Sequence, residues 1–455
     1  MIKNTNEILT QNIGAMECII KELIKECIEL EGNKELTINT AENLAVKAVQ
    51  EFTNIVLSII GSLLSNIETD KTEVYCECGK RMVTTKRNAI TKIFSILGYI
   101  PVERDIVFCR RCHKGFGIND KELGIYGEHR ITKAMTEAIA YVAQMVPSFE
   151  RASEAIKKLL KLEISPTQIQ IISEEVGKEV FEKDKAEARE AFEKPEEAAP
   201  SELPKDQKEG RLYILTDGLQ VNTRIEDING STWKEMKLGL IFNDKDVIRR
   251  GDGSYTIVKK EYVCYFGSIE EFKKLVFAAA ARAGYGKIKE IVVLGDGATW
   301  IWNMCKELFP DAVQILDFYH MSENIHNYAK FIYPEDEVGR KIWVNKVLNN
   351  LNSGKIEEAI ELVKEKTKDK IPDGVVNLYT YITNNMERIN YKFYKDNDYY
   401  IGSGAIESAN KMVIQQRMKQ SGMRWSVNGG QYIATLRTKH ESNRWDEVTN
   451  VINAS

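Results

Sequence analysis

The chain has no long hydrophobic run. Its apolar stretches are broken early, and even Ile55 to Leu64 is interrupted by Ser58 and Ser62. A membrane-crossing helix needs about 20 largely apolar residues, so a membrane span is not expected. The start, Met1-Ile2-Lys3-Asn4-Thr5-Asn6, is polar and has no signal-peptide core, which leads us to expect a cytoplasmic protein with reduced thiols. Net charge is also small, at −4. That argues against bulk nucleic-acid binding by the chain as a whole and leaves local patches to make such contacts. What is there instead is a 43% hydrophobic, 29% charged sequence of 455 residues, the composition of a folded chain long enough for about three domains.

The most informative stretch is Glu290 to His320. Ile291 to Leu294 is a short β-branched run that stops at Gly295-Asp296-Gly297, as a buried strand does when it ends at a turn. Thr299 to Leu308 has helical spacing, and Phe309-Pro310-Asp311 ends it. Ala312 to Leu316 is a second buried strand, ending at Asp317, with His320 three residues on. Parallel strands joined by a helix put their C-terminal ends on one rim of a sheet, where α/β sites form. Two acids and a histidine there point to a hard-metal site. Strand-end turns or helix caps account equally well for either acid alone.

Before this stretch the chain falls into segments. Residues 1–70 read as a helical hairpin: one helix over 4–32, then a capping box of Asn39 and Glu42 opening a second helix to Ser65. Such a hairpin suits docking or dimerisation, and equally a plain helical subdomain. Residues 71–125 hold Cys76, Cys78, Cys109 and Cys112 in two tight pairs separated by strand-like sequence. That pattern predicts a zinc ribbon, with His113 an awkward substitute ligand beside Cys112. Cys76 to Lys114 carries nine Lys and Arg against three acids, net +6, with Arg87, Arg110 and Arg111 as candidate phosphate contacts. In residues 126–180, Phe149 to Leu160 and the helix opened by Ser165 and Pro166 fit a helix-turn-helix. Thr167, Gln168 and Gln170 are its base-facing candidates, and an ordinary helical pair fits as well. Residues 181–210, with ten acids, six bases and three prolines, read as a helix tail and solvated linker.

The second half is α/β. Arg211 to Thr216 is a buried strand ending at Asp217-Gly218. Lys237 to Phe242 and Glu261 to Phe266 are the next two strands, separated by a polar loop over 243–260, and Ser268 to Ala283 is a helix. An antiparallel meander followed by two strands added through helical crossovers is the element order of a ribonuclease-H-like fold, here over 211–331 and 401–445 with a helical insertion at 332–400. Glu407 sits in the first turn of a helix running to Lys419. Residues 401–445 carry seven Lys and Arg against two acids, net +5. A lone glutamate in that setting reads as a metal-holding acid flanked by phosphate contacts, or as a carboxylate favoured by the helix dipole.

The motifs TDGLQVNTR (216–224), STWKEMKLG (231–239), GDGATWIWN (295–303), FPDAVQILDFYH (309–320), GSGAIESANK (402–411) and QRMKQSGMRWS (416–426) resemble, in order, those of bacterial insertion-sequence DDE transposases. The resemblance is to the Mutator-related, Kra-type group. It implies an enzyme that binds insertion-sequence ends and catalyses metal-dependent DNA cleavage and strand transfer. Position by position it makes Asp217, Asp296 and Glu407 the catalytic acids and Asp317 and His320 the characteristic pair after the second acid. Glu387 is a rival third acid in a poorer context.

On this resemblance, two Mg2+ (or Mn2+) ions would be held by Asp217, Asp296 and Glu407, with a structural Zn2+ on the cysteines. Lys411, Arg417, Lys419, Arg424 and Trp425 would contact DNA, and Trp300 and Trp302 would either stack on bases or belong to the core. The implied partners are double-stranded DNA, both terminal inverted repeats and target, and further copies of the chain as a homodimer or higher oligomer. The implied location is the nucleoid-associated cytoplasm. Two alternatives stay open: a ribonuclease-H-like nuclease or resolvase without strand transfer, and a transposase-derived DNA-binding regulator.

Overall fold

The computed structural model describes residues 5–65, 74–76, 78–120, 122–126, 129–226, 230–251, 255–368 and 370–454. Met1 to Asn4 of the polar start, and Glu77 between the first two cysteines, lie outside the described residues. The fold is mixed α/β. It divides into two compact units, one of 1–176 with 448–455 and one of 177–447.

The first unit opens with α1 (Thr5–Gly32) and α2 (Ile38–Leu64). The expected capping box at Asn39 and Glu42 is not used. The chain is still extended at Thr37, whose side chain accepts from the Thr40 backbone while Thr40 reciprocates, so α2 begins earlier than the spacing implied. Of the described helices, α2 alone has the length and apolarity to cross a bilayer. Here its Gly61 packs against the Pro101 carbonyl, leaving no room for a Cβ. Pro101 lies in a hairpin of β1 (Val83–Ser95) and β2 (Gly98–Cys109). With β3 (Lys114–Gly117), β4 (Ile125–Tyr126) and β5 (Ile131–Thr132) they form a sheet of order β3-β2-β1-β5-β4. Helices α3 (Lys133–Met145), α4 (Phe149–Leu160) and α5 (Pro166–Glu193) follow. Ser165 does cap α5, accepting from the Gln168 amide at 3.2 Å, with Pro166 in the first turn.

The expected solvated linker at 181–210 is largely helix and is part of the second unit, packed into it. Phe181 stacks on Tyr265, Phe192 meets Phe277 edge-on, and Ala188 and Ala191 are buried. Its charges lie on the opposite, wet face of α5, which is why composition alone read as linker. Two short turns, α6 (Pro195–Ala198) and α7 (Lys205–Lys208), lead into the sheet.

That sheet is β6 (Arg211–Asn222), β7 (Trp233–Asn243), β10 (Glu261–Tyr265), β11 (Glu290–Gly295) and β12 (Val313–Leu316), in the order β10-β7-β6-β11-β12. The first three strands pair antiparallel, β11 pairs parallel with β6, and β12 pairs parallel with β11. The crossovers are α8 (Ile269–Arg282) and α9 (Thr299–Leu308). The polar loop at 243–260 contains a small hairpin, β8 (Val247–Arg249) with β9 (Tyr255–Ile257). Strand β6 does not end at Asp217; it continues to Asn222 against β7. Next come α10 (Phe318–Ile332), then the insertion helices α11 (Glu337–Asn352), α12 (Ile356–Lys364), α13 (Leu378–Asn384) and α14 (Tyr391–Asp396). The chain returns through α15 (Gly404–Ala409), a π turn over Asn410–Gln415 and α16 (Gln416–Met418), then α17 (Val427–Glu441) and α18 (Trp445–Ala454). Buried Gln431 of α17 accepts from the Phe266 amide at 2.7 Å and donates to the Cys264 carbonyl at 3.2 Å, covering the β10 edge.

Candidate active site

Strand register brings three of the acids to one rim of the sheet. In the parallel ladder Leu215 lies beside Leu294, and Gly295 beside Leu316. Asp217 and Asp296 each lie two residues past the first pair, and Asp296 and Asp317 each lie one past the second. Extending both ladders puts Asp217, Asp296 and Asp317 in one row across β6, β11 and β12, with neighbouring strands about 4.8 Å apart. The extension is physical at one step, since the Asp317 amide donates to the Gly295 carbonyl at 2.8 Å.

Each acid is held differently. Asp217 Oδ1 accepts from the Gly218 amide at 2.7 Å and its Oδ2 from Asn410 Nδ2 at 2.5 Å. Burial pushes the Asp217 carboxyl above its ordinary range, and the nearby Asp296 charge adds to that, while Gly218, Asn410 and His320 oppose it. Asp296 Oδ1 accepts from the Ala298 amide at 2.9 Å, and its carbonyl accepts from Tyr381 Oη at 2.8 Å. Gly297 beside it sits at φ +96°, a conformation that favours glycine. Asp317 is wholly buried. It caps α10 by accepting from the amides of Tyr319 (3.0 Å) and His320 (3.4 Å), and its Oδ1 also takes the Ser403 amide at 3.0 Å.

Ser403 carries the connection onward. Its Oγ donates to Glu407 Oε1 at 2.5 Å. Together with the bond between the Phe318 amide and the Ile401 carbonyl, this ties the Glu407 turn to the end of β12. Ligand atoms of Asp317, His320 and Glu407 lie within 4.8 Å of one another, with His320 Nε2 3.8 Å from Asp317 Oδ2. Asp217 and Asp296 stand outside that tight trio but inside the same electrostatic neighbourhood, since Asp217 feels both Asp296 and His320. Glu387 lies by Ala312 and Gln314, at the start of β12 and the other end of that strand, and is exposed. Glu407, and not Glu387, lies beside Asp317 and His320.

Sequence reasoning did not single out Ser403 and Asn410, which hydrogen-bond Glu407 and Asp217, although both lie within the 402–411 motif. It also missed that Asp317 spends its oxygens on three backbone donors. Two expected DNA contacts are corrected. Arg417 and Trp425 are buried. The Arg417 guanidinium lies 4.9 Å from the Trp425 ring centre, Trp425 Nε1 donates to the Met418 carbonyl at 3.1 Å, and its backbone bridges Thr223. They are core groups bracing the end of β6. Lys411, Lys419 and Arg424 are exposed. Trp302 is buried under Arg388, and Trp300 is half-buried edge-on to Phe272.

In the first unit the four cysteines converge. Ligand atoms of Cys76, Cys78, Cys109 and Cys112 lie within 4.8 Å of one another, and the sulfurs of Cys78 and Cys109 are 3.7 Å apart. A tetrahedral zinc with Zn–S of about 2.3 Å requires sulfur–sulfur edges of about 3.8 Å. The Lys80 amide and then Cys112 lower the Cys78 thiol to about 7, while Cys78 pushes Cys112 up to about 12. Four sulfurs at this spacing fit a cation-binding cluster. His113 instead packs its ring edge-on to Phe108. Arg87, Arg110 and Arg111 are exposed, but Arg104 is buried against Asp120 and leaves the basic face. Thr167 and Gln168 are exposed, and Gln170 is half-buried with its Nε2 donating to Glu174 at 2.8 Å.

Of the cavities described, the largest, about 1120 Å3, lies at the opposite end of the sheet among Arg211, Asp244, Lys289 and Glu290 and holds none of these acids. Its lining mixes acidic and basic side chains.

Residues 34–450 match the family model described as Uncharacterised protein family (UPF0236). The chain belongs to that family. No curated protein matches this UPF0236 chain. Among solved structures, the Drosophila P element transposase strand transfer complex is similar at a TM-score of 0.33, with 10% identity, covering 69% of this chain and 92% of that one.

Proposed function

We propose that this UPF0236 protein is a DDE-type transposase whose ribonuclease-H-like second unit cleaves and joins DNA with divalent metal ions. The observation that carries the reading is the shared row of Asp217, Asp296 and Asp317 on parallel strands, with Glu407 tethered beside it through Ser403. The sheet order, three antiparallel strands then two parallel ones, supports the fold. The motif resemblance supports the Mutator-related, Kra-type placement.

The donor set fits hard cations. It is all oxygen apart from His320, and burial together with the Asp296 charge makes the Asp217 charge costly without a neighbouring cation. Asp217, Asp296 and Glu407 are the residues to hold magnesium or manganese. When bound, such ions supply charge neutralisation at a scissile phosphate and lower the pKa of a water. His320, half-exposed on the first turn of α10, is placed to donate a hydrogen bond from an imidazole nitrogen to a phosphate oxygen. Asp317 fixes the turn that carries His320. Lys411, Lys419 and Arg424 supply exposed cations on the chain after Glu407, where the DNA backbone would run. In the first unit, the thiol cluster with zinc, Arg87, Arg110 and Arg111, and the front of α5 at Thr167 and Gln168 are proposed to bind element ends. Joining two ends in concert calls for a dimer or larger assembly.

The test is nicking of supercoiled DNA, and joining of pre-cut ends bearing the sequences that flank this gene, with Mg2+ or Mn2+. Asp217→Asn should abolish both while sparing DNA binding. Nicking without joining would favour the nuclease reading, and binding without nicking the regulator.

A further inference from the structure

Asn410 lies three residues after Glu407, so both project from one side of the same helical path. It is 3% exposed. Its Nδ2 reaches across to β6 and donates to Asp217 Oδ2 at 2.5 Å, a link between residues 193 apart in sequence. Its Oδ1 is buried with no hydrogen-bond partner among the described residues. Buried carboxamides ordinarily satisfy both ends, and the exceptions call for a reason. The backbone here is also irregular. The helix widens into a π turn at Asn410, and π turns concentrate at functional sites. Val413 and Ile414 of that turn are buried, so the widening seats apolar side chains in the core while the path begins at the Asp217 contact.

Resting on the reading of this centre as a divalent-metal site, we propose that Asn410 is its positioning residue, clamping the Asp217 carboxylate to the helix that carries Glu407 so that the strand acid and the helix acid present their oxygens as one unit. Gly218 fixes one Asp217 oxygen and Asn410 the other. Each oxygen keeps a lone pair for an ion, and the two hydrogen bonds oppose rotation of the carboxylate. Without Asn410, the donor set would have to be ordered at the moment a cation arrives. Groups that orient ligating carboxylates typically govern metal affinity by 10–100-fold.

The experiment measures Mn2+ binding to the full chain by electron paramagnetic resonance, alongside thermal unfolding without metal. Asn410→Ala and the near-isosteric Asn410→Leu should each weaken Mn2+ binding about 10–100-fold. Both variants should melt within a few degrees of wild type, because each also removes the unsatisfied Oδ1. Wild-type affinity in both variants would overturn the clamp. So would unfolding of both, which would make Asn410 a folding residue. Asp217→Asn separates this from the parent reading: Mn2+ affinity unchanged by that substitution would remove the metal centre itself, whereas loss there with no change at Asn410 would remove only the clamp.

Discussion

Replacing Asp317 with alanine should cost far more stability than its place on a rim suggests. The side chain is wholly buried and accepts three backbone N–H groups. Two are the orphan amides at the start of α10, and losing such a cap costs about 1 kcal/mol. The third belongs to Ser403, itself buried, and stranding a buried donor costs about 1–3 kcal/mol. Together the loss is about 2–4 kcal/mol. For a unit of this size that corresponds to a fall of about 5–15 °C in its melting transition. Asp317→Asn keeps one acceptor oxygen and should lose about half as much. His320→Ala, at a half-exposed side chain, should stay within about 0.5 kcal/mol of wild type. Urea unfolding of the three variants measures the series. An Asp317→Ala protein as stable as wild type would refute the tether, and with it the argument that Asp317 places Glu407 through Ser403.

Other consequences are accessible to simple assays. The cysteine cluster should retain about one zinc per chain in elemental analysis, and Cys109→Ser should abolish it and loosen the first unit; a metal-free chain with an unaltered fold would contradict the site. Burial by itself would raise the Glu447 carboxyl, but Lys439 and Arg444 hold it down to about 2 from an ordinary 4.5. Its contribution, about 3 kcal/mol at most, is present above the unfolded value and lost as pH falls from about 5 to 2. Glu447→Gln should therefore weaken the protein at pH 7 and make little difference near pH 2. Equal loss at both would show that shape rather than charge is at stake. Gly297→Ala places a Cβ 2.8 Å from Tyr381 Oη at a positive φ, so it should destabilise by about 1–3 kcal/mol and reduce activity by displacing Asp296; wild-type stability would contradict the packing.

The ends of β11 and β12 were legible because apolar strands announce where they stop. Ile291 to Leu294 and Ala312 to Leu316 stop at Asp296 and Asp317, and α9 occupies the residues its spacing predicts. What was hidden depends on partners distant in sequence. Arg417 and Trp425 look like DNA contacts in a basic segment, yet Trp425 pairs with Thr223, about two hundred positions earlier. Nothing local signals that pairing. Asp217 looked like a strand end because Gly218 follows it, but eleven consecutive pairs with β7 carry the strand on to Asn222. The charged stretch after residue 181 hid its inward face because Phe181, Ala188 and Ala191 are few among many ionised neighbours. Asp317 read as the partner of His320, because sequence gives a carboxylate's position on a rim but not how many backbone donors already claim it.

The central claim is that Asp217, Asp296 and Glu407 share divalent ions. A crystal of the full chain soaked in Mn2+ and measured for anomalous scattering tests it directly. The account predicts two peaks about 4 Å apart, ligated by oxygens of Asp217, Asp296 and Glu407. A single peak confined to Asp317, His320 and Glu407, with Asp217 and Asp296 bare, would contradict it.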